Sequence, residues 1–256
     1  MINIFLNMNA FSGTISLGHL PPNLQYLGVC NNKLTGKVRV PPGVSCVLDG
    51  NENLTVDDSV AELRFKFQMA CMRKTAENYH VYRSRRHQKE NCCFWMGVTC
   101  QVDIVIGIYW SQSDSVTIKS LAWLPPSLQR ATLIVKRIYT HFEMQRLPKH
   151  LRYANFPVCG LHGPLELRTL PKELAELLLP ANNFTGEIRL TSLPPHMQKL
   201  DLQSNRIMQA FVCNAQLPIS LEVVQLFSEK RPRFVCLDGK NVDRRVCRRK
   251  FDSLYD

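Results

Sequence analysis

The sequence has no apolar run approaching the ~18 residues that a membrane-spanning helix requires, so no segment reads as crossing a bilayer. Its opening residues, Met1-Ile2-Asn3-Ile4-Phe5-Leu6, lack the basic start and sustained apolar stretch of a secretory signal. There is no Gly-rich phosphate loop, no His-Glu-x-x-His and no Gly-x-Ser-x-Gly, which removes the constellations those patterns carry. The seven histidines, His19, His80, His87, His141, His150, His162 and His196, are scattered rather than grouped as a metal site or catalytic cluster requires. These absences argue against an enzyme and against any small-molecule cofactor or metal. Acid is the scarcer charge: 21 Asp and Glu stand against 32 Lys and Arg, a formal net charge of +11. Such a balance suits an acidic partner or nucleic acid. The basic runs Arg83-Ser84-Arg85-Arg86-His87, Arg244-Arg245 and Arg248-Arg249-Lys250 are separate, however, and short basic runs are usually solvated faces or tails. Nucleic acid is therefore disfavoured as a partner.

What is present is a period. Apolar residues make up 45% of the 256, enough to bury a core, and they are placed regularly. Leu-Pro recurs at Leu124-Pro125, Leu147-Pro148, Leu170-Pro171, Leu193-Pro194 and Leu217-Pro218, at steps of 23 or 24 residues. Each pair is followed at offsets four, seven and nine by apolar residues, as in Leu174, Leu177 and Leu179 or Met197, Leu200 and Leu202. Three residues further on, Asn182 and Asn205 occupy a place that Lys136, Cys159 and Glu229 hold in the other units. The N-terminal stretch repeats the unit as Leu20-Pro21, Leu24, Leu27, Val29, Asn32, Leu34 and Gly36, and Ile4, Leu6, Asn9, Phe11 and Gly13 fit the tail of another.

The spacing carries a physical reading. Residues at offsets seven and nine alternate with polar neighbours, as a short strand with one buried face does. Stacked units set those strands side by side as a parallel sheet, each Leu finding its neighbours in the adjacent units. Asn9, Asn32, Asn182 and Asn205 are expected to turn their amides inward and satisfy backbone groups of the turn. Gly13, Gly36 and Gly186 stand four places after Asn9, Asn32 and Asn182, and Gly163 four after Cys159 at the same position, where the chain bends.

The stretch Leu174 to Ile188, LAELLLPANNFTGEI, resembles the leucine-rich-repeat family, Leu-x-x-Leu-x-Leu-x-x-Asn-x-Leu-x-Gly-x-Ile. The Leu-x-Gly-x-Ile half is similar to the plant-type subclass and to arrays in kinetoplastid surface proteins. The resemblance implies an α/β repeat solenoid, a right-handed superhelix with a parallel β-sheet on its concave face.

The repeat breaks between about Leu54 and Asp103. Asp57 to Glu77 is rich in helix formers, with Asp57 or Asp58 as N-cap and Val60, Leu63, Phe67 and Ala70/Cys71 on the expected apolar face. Cys92-Cys93-Phe94-Trp95-Met96-Gly97-Val98-Thr99-Cys100 follows a basic loop. Disulfides, zinc and free buried thiols are all readings of these cysteines, although neither paired Cys-x2-Cys nor Cys2His2 spacing occurs. Ten cysteines in all favour an oxidising compartment. The segment also resembles the N-terminal cap of plant-type extracellular repeats, Cys-Cys-x-Trp-x-Gly-Val-x-Cys. That resemblance implies a Cys93–Cys100 disulfide and a second between Cys71 and Cys92. Cys236 and Cys247 flank a polar, basic segment and could staple a closing cap, whereas Cys30, Cys46, Cys159 and Cys213 stand at repeat positions as small core fillers.

The chain thus divides into 1–54, the end of a first array; 55–103, a helical Cys-rich cap; 104–232, a second array; and 233–256, a basic C-terminal cap or tail. The first array opens mid-repeat, which leads us to expect a fragment of a longer protein. The outward strand positions of the second array are the expected partner-binding row: Arg130, Thr132, Tyr153, Asn155, Glu176, Leu178, Lys199, Asp201, Val223 and Gln225. Their mixture of charge, aromatic and apolar groups suits a protein or peptide better than a phosphate backbone. Asn53-Leu54-Thr55 and Asn183-Phe184-Thr185 match the glycosylation acceptor pattern. The expected function is a non-catalytic recognition module binding a protein or peptide on its concave face, at the cell surface or outside the cell. Its rivals are a cytoplasmic scaffold with reduced cysteines, a basic nucleic-acid-binding repeat protein, and an enzyme using Cys93 or Cys100 as nucleophile.

Overall fold

The computed structural model describes residues 2–41, 44–57, 59–80, 91–228 and 232–247, without the side chains of 59–61 and 247. Asp58, the run Arg83 to His87, Glu229 and the run Arg248 to Lys250 lie outside the described residues. The chain forms two compact units, Met1–Phe67 and Gln68–Asp256. Among the described residues strands dominate, nearly all parallel, with one α-helix, Ser59–Thr75.

In the larger unit the offset-seven and offset-nine pairs form the strands that the alternation demands. Ala131 and Leu133, Ala154 and Phe156, Leu177 and Leu179, Leu200 and Leu202, and Val224 and Leu226 are all at most 2% exposed. Their strands, Arg130–Leu133, Tyr153–Asn155, Glu176–Leu178, Lys199–Asp201 and Val223–Gln225, pair in parallel in that order. Register follows the repeat: Arg130 lies beside Tyr153, Tyr153 beside Glu176, Glu176 beside Lys199, and Lys199 beside Val223. Val246–Cys247 extends one edge. Ile104–Trp110 extends the other and pairs antiparallel with Val98–Gln101.

Parallel neighbours need a crossover of a dozen or more residues, and the rest of each repeat supplies it. His162–Gly163, Asn183–Arg189, Arg206–Val212 and Arg233–Cys236 form a second parallel sheet. A 3-10 turn follows at Leu121–Trp123, Met144–Arg146, Leu167–Thr169, Leu190–Ser192 and Asn214–Gln216. The Leu-Pro step then redirects the chain. Each proline carbonyl accepts the N–H three residues on, as in Leu174 to Pro171 at 3.1 Å and Leu151 to Pro148 at 3.0 Å.

The smaller unit repeats this arrangement with two three-stranded parallel sheets, Ile2–Phe5, Leu24–Gly28 and Ser45–Val47 in one, and Ser12–Thr14, Lys33–Val38 and Asn53–Val56 in the other. Leu17, Leu24, Leu27, Val29, Leu34 and Val38 form its core.

The helix departs from expectation. Leu63 is 67% and Phe67 57% exposed, Ala70 is exposed, and of the anticipated face with described side chains only Cys71 is buried. The side chain of Val60 lies outside the described residues. The buried stripe is Gln68, Met69, Cys71, Met72, Thr75 and Ala76. A buried amide fixes that rotation. Gln68 accepts from Val105 N at 2.7 Å and donates to Asp103 O at 3.0 Å, tying the helix to the first long strand of its unit. A glutamine reads as polar in any periodicity count, so the bonded face was invisible to one.

The position before each inward Asn, or its substitute, is left-handed: Met8, Asn31, Val135, Val158, Ala181 and Ser204 have φ between 52 and 55°. Asn tolerates that conformation, whereas a β-branched residue there is strained. Val158 is 47% exposed, so its methyls contribute little packing. Val158→Asn is expected to stabilise the fold by about 1 kcal/mol, read as a higher urea midpoint at unchanged m-value.

Candidate functional site

The repeat is held by a ladder of buried amides. Asn182 donates to Phe156 O at 2.8 Å, Leu179 O at 3.1 Å and Pro180 O at 3.2 Å, and accepts from Cys159 N and Leu161 N. Asn205 donates to Leu179 O, Leu202 O and Gln203 O and accepts from Phe184 N, and Asn32 makes the same set in the smaller unit. Asn9 binds the carbonyls of Leu6 and Asn7 but is exposed, unlike the buried amides of Asn32, Asn182 and Asn205.

The units without Asn solve the same problem differently. The Cys159 thiol reaches Leu133 O at 3.2 Å and Pro157 O at 3.4 Å, equivalents of two carbonyls that Asn182 holds. Lys136, only 7% exposed, sends its ammonium to Asp114 O at 2.7 Å and Val116 O at 2.9 Å, and burial lowers its pKa. Sequence reasoning missed Asn51. It is buried, donates to Leu48 O and Val29 O and accepts from Leu34 N. Its signal was Leu48 three residues earlier, hidden because the step from Asn32 is 19 rather than 23.

The cysteines sort by burial and bonding. Cys93 and Cys100 are joined in a disulfide with Cα atoms 5.6 Å apart, so neither offers a thiolate to act as nucleophile or metal ligand. Trp95 between them is fully buried and stacks on Tyr79 at 3.4 Å, while Trp110 Nε1 donates to Met96 O at 2.9 Å. The Cys71–Cys92 pair is corrected: both are free, buried thiols. From the helix it is the Gln68 amide that meets Cys92 Sγ, at 3.6 Å. Cys71 lies three residues, about 4.5 Å of helix rise, further on. Cys236 is likewise a free thiol rather than half of a staple. It donates to Asp238 Oδ1 at 2.9 Å, which raises its pKa, and the side chain of Cys247 lies outside the described residues. Cys30, Cys46, Cys159 and Cys213 are free, with Cys159 fully buried. Among the described residues no three His, Cys, Asp or Glu side chains are grouped to hold a metal ion.

Burial pushes the Cys92 and Cys159 thiols up to about 11 from an ordinary 9.0. A thiol whose folded pKa is raised lends stability that is complete below pH 9 and is lost as pH climbs toward 11. The loss approaches ~2–3 kcal/mol for each thiol. We expect Cys92→Ala/Cys159→Ala to flatten the decline in urea stability between pH 9 and 11 relative to the parent. An equal slope in both proteins would refute this.

The ten expected partner-binding residues lie together on the outer face of the eight-stranded sheet. Arg130 is exposed and the other nine are half-buried, each flanking a fully buried Ala131, Ala154, Leu177, Leu200 or Val224. Register sorts them into two rows, Arg130, Tyr153, Glu176, Lys199 and Val223 in one and Thr132, Asn155, Leu178, Asp201 and Gln225 in the other. The Arg130 guanidinium lies over the Tyr153 ring, 4.4 Å from its centroid. Asp201 is bonded to Gln203 N and Nε2, and Gln203 bonds on to Gln225 Oε1 at 2.9 Å. Burial raises the Asp201 pKa despite those bonds. Lys199 pairs with Glu222 at 3.8 Å.

Tyr109, 55% exposed, extends the second row next to Thr132 and was missed. It stands 23 residues before Thr132, a signal lost because its unit has no Leu-Pro. Between Tyr109, Arg130 and Tyr153 the face sinks into a depression of about 410 Å³.

No family model matches the chain, and no curated protein matches it by sequence. Among solved structures the chain is similar to a pollen receptor kinase 3, at 19% identity over 68% of this chain and 99% of that one, with a TM-score of 0.44.

Proposed function

We propose that the chain is a leucine-rich-repeat solenoid, a right-handed superhelix whose parallel sheet lines a concave face, and that this face recognises a protein or peptide without catalysis. Residues 1–54 are the end of one array, 55–103 a cap, 104–232 a second array and 233–256 a closing segment. The amide ladder and the in-register strands support the architecture. The observation that carries the function is the pair of side-chain rows, which mix aromatic, apolar and charged groups on a backbone locked by hydrogen bonds. A rigid, mixed surface loses little entropy on binding and suits a polypeptide. The Cys93–Cys100 disulfide and the exposed Asn53 and Asn183 of the two glycosylation patterns support an oxidising, extracellular or cell-surface setting.

The test is selection of linear peptides from a random library on the intact chain, followed by photo-crosslinking from a probe amino acid placed at Asn155. Selected peptides should crosslink at Asn155 and lose binding in Tyr153→Ala. Binders that crosslink nowhere on this face, or a chain that retains only nucleic acid with steep salt dependence, would sink the proposal. Alkylation of the chain from its own cells, with and without reduction, tests the compartment: Cys93 and Cys100 should label only after reduction.

A further inference from the structure

We infer that the outer sheet face reads charge at a fixed interval, taking a peptide with an acidic residue and a basic residue three positions apart. The inference rests on the reading of that face as a peptide-binding surface. The depression of about 410 Å³ has room for a side chain or two, and Arg130 is the single residue of formal charge among its lining residues. Its other walls are Tyr109, Tyr153, Gln129, Asn155 and apolar or small residues. Among the described residues no carboxylate pairs with Arg130, and its guanidinium lies over the Tyr153 ring. An unpaired guanidinium in uncharged walls presents its donors to an anionic group, which in an unmodified peptide is a carboxylate.

The row that starts at Arg130 continues through Tyr153 and Glu176 to Lys199 by strand register. Lys199 is engaged sideways by Glu222, whereas Glu176 has no ion-pair partner among the described residues. The row thus offers one free positive and one free negative charge, two strands apart. Two strand spacings are about 9.6 Å, close to the ~9.3 Å of one three-residue turn of a polyproline II peptide, which returns side chains three positions apart to the same face. A peptide crossing the strands places an acidic side chain on Arg130 and a basic one on Glu176, in either chain direction. Tyr153 and Leu178 support the residues between.

The test uses an array of synthetic heptapeptides containing Glu-x-x-Lys, with Gln-x-x-Lys, Glu-x-x-Gln, Lys-x-x-Lys and Glu-Lys as controls. These are read against the parent chain, Arg130→Gln, Arg130→Glu and Glu176→Gln. The parent should hold Glu-x-x-Lys about tenfold more tightly than either singly neutral control. Arg130→Gln should erase the preference for Glu over Gln, Arg130→Glu should turn it toward Lys-x-x-Lys, and Glu176→Gln should erase the preference for Lys. Arg130 is exposed, so its variants should unfold at the parental midpoint, which separates lost recognition from lost folding. If library-selected peptides bind the face but the array shows no charge preference, or Arg130→Gln keeps it, this inference is overturned and the peptide-binding reading survives. If neither array nor library yields a binder, both fall.

Discussion

Asn182→Ala is expected to lower the unfolding free energy by about 3–5 kcal/mol, a large fraction of the stability of an ordinary domain. The side chain is only 5% exposed and makes five hydrogen bonds to backbone groups drawn from two successive repeats. Alanine would strand the N–H groups of Cys159 and Leu161 and the carbonyl of Phe156 where water has no access. Each orphan costs roughly 1–3 kcal/mol, far more than the methylene volume lost. Asn183, the next residue, is exposed, and Asn183→Ala should move stability by no more than about 0.5 kcal/mol. Urea denaturation of the pair, followed by far-ultraviolet circular dichroism, decides the matter. Equal, small losses would mean that the amide ladder does not hold the repeats together. Neighbour-coupled stacking adds a second expectation: the transition of Asn182→Ala should broaden, because the units on either side lose their coupling at this point.

Gly97→Ala should cost about 2–4 kcal/mol and change the tryptophan emission. Gly97 has φ +78°, where an L side chain is strained, and an added Cβ would run into the carbonyl oxygen of Tyr109 and lie 2.8 Å from Trp110 Cδ1. Backbone cannot swing aside as a flexible side chain does. The contact is also a hydrogen-bonding one, since Tyr109 N donates to Gly97 O at 2.7 Å. Pushing the strands apart there would loosen Trp95 from Tyr79 and Trp110 from Met96 O, hence the expected change in fluorescence. Gly186→Ala is the matched control. It has φ +87° with nothing within 4 Å of the added carbon, so it should show only the conformational cost, about 1–2 kcal/mol. Equal losses at the two sites would show that the close approach at Gly97 contributes nothing.

The ten face residues were legible because strand alternation is a property of neighbouring positions: a residue flanking buried Leu177 must point the other way. What filled in around them was less so. Tyr109 belongs to a strand whose unit lacks the Leu-Pro marker, and Asn51 to a unit shortened by four residues. Cys159 and Lys136 looked like failures of the repeat. They are alternative donors to backbone carbonyls, a role defined by what a side chain reaches rather than by its type.

The sequence by itself determined the period, the strand registry it imposes, and which residues of the strands between Arg130 and Gln225 are buried. All of these follow from local alternation summed over equal units. Only the tertiary structure decided the face the helix buries, the free state of Cys71, Cys92 and Cys236, and the location of free charge. The helix turned on one buried glutamine amide, which also meets the free Cys92 thiol, and Arg130 and Glu176 were left without ion-pair partners among the described residues. Each depends on distances between residues far apart in the chain, which no local pattern encodes.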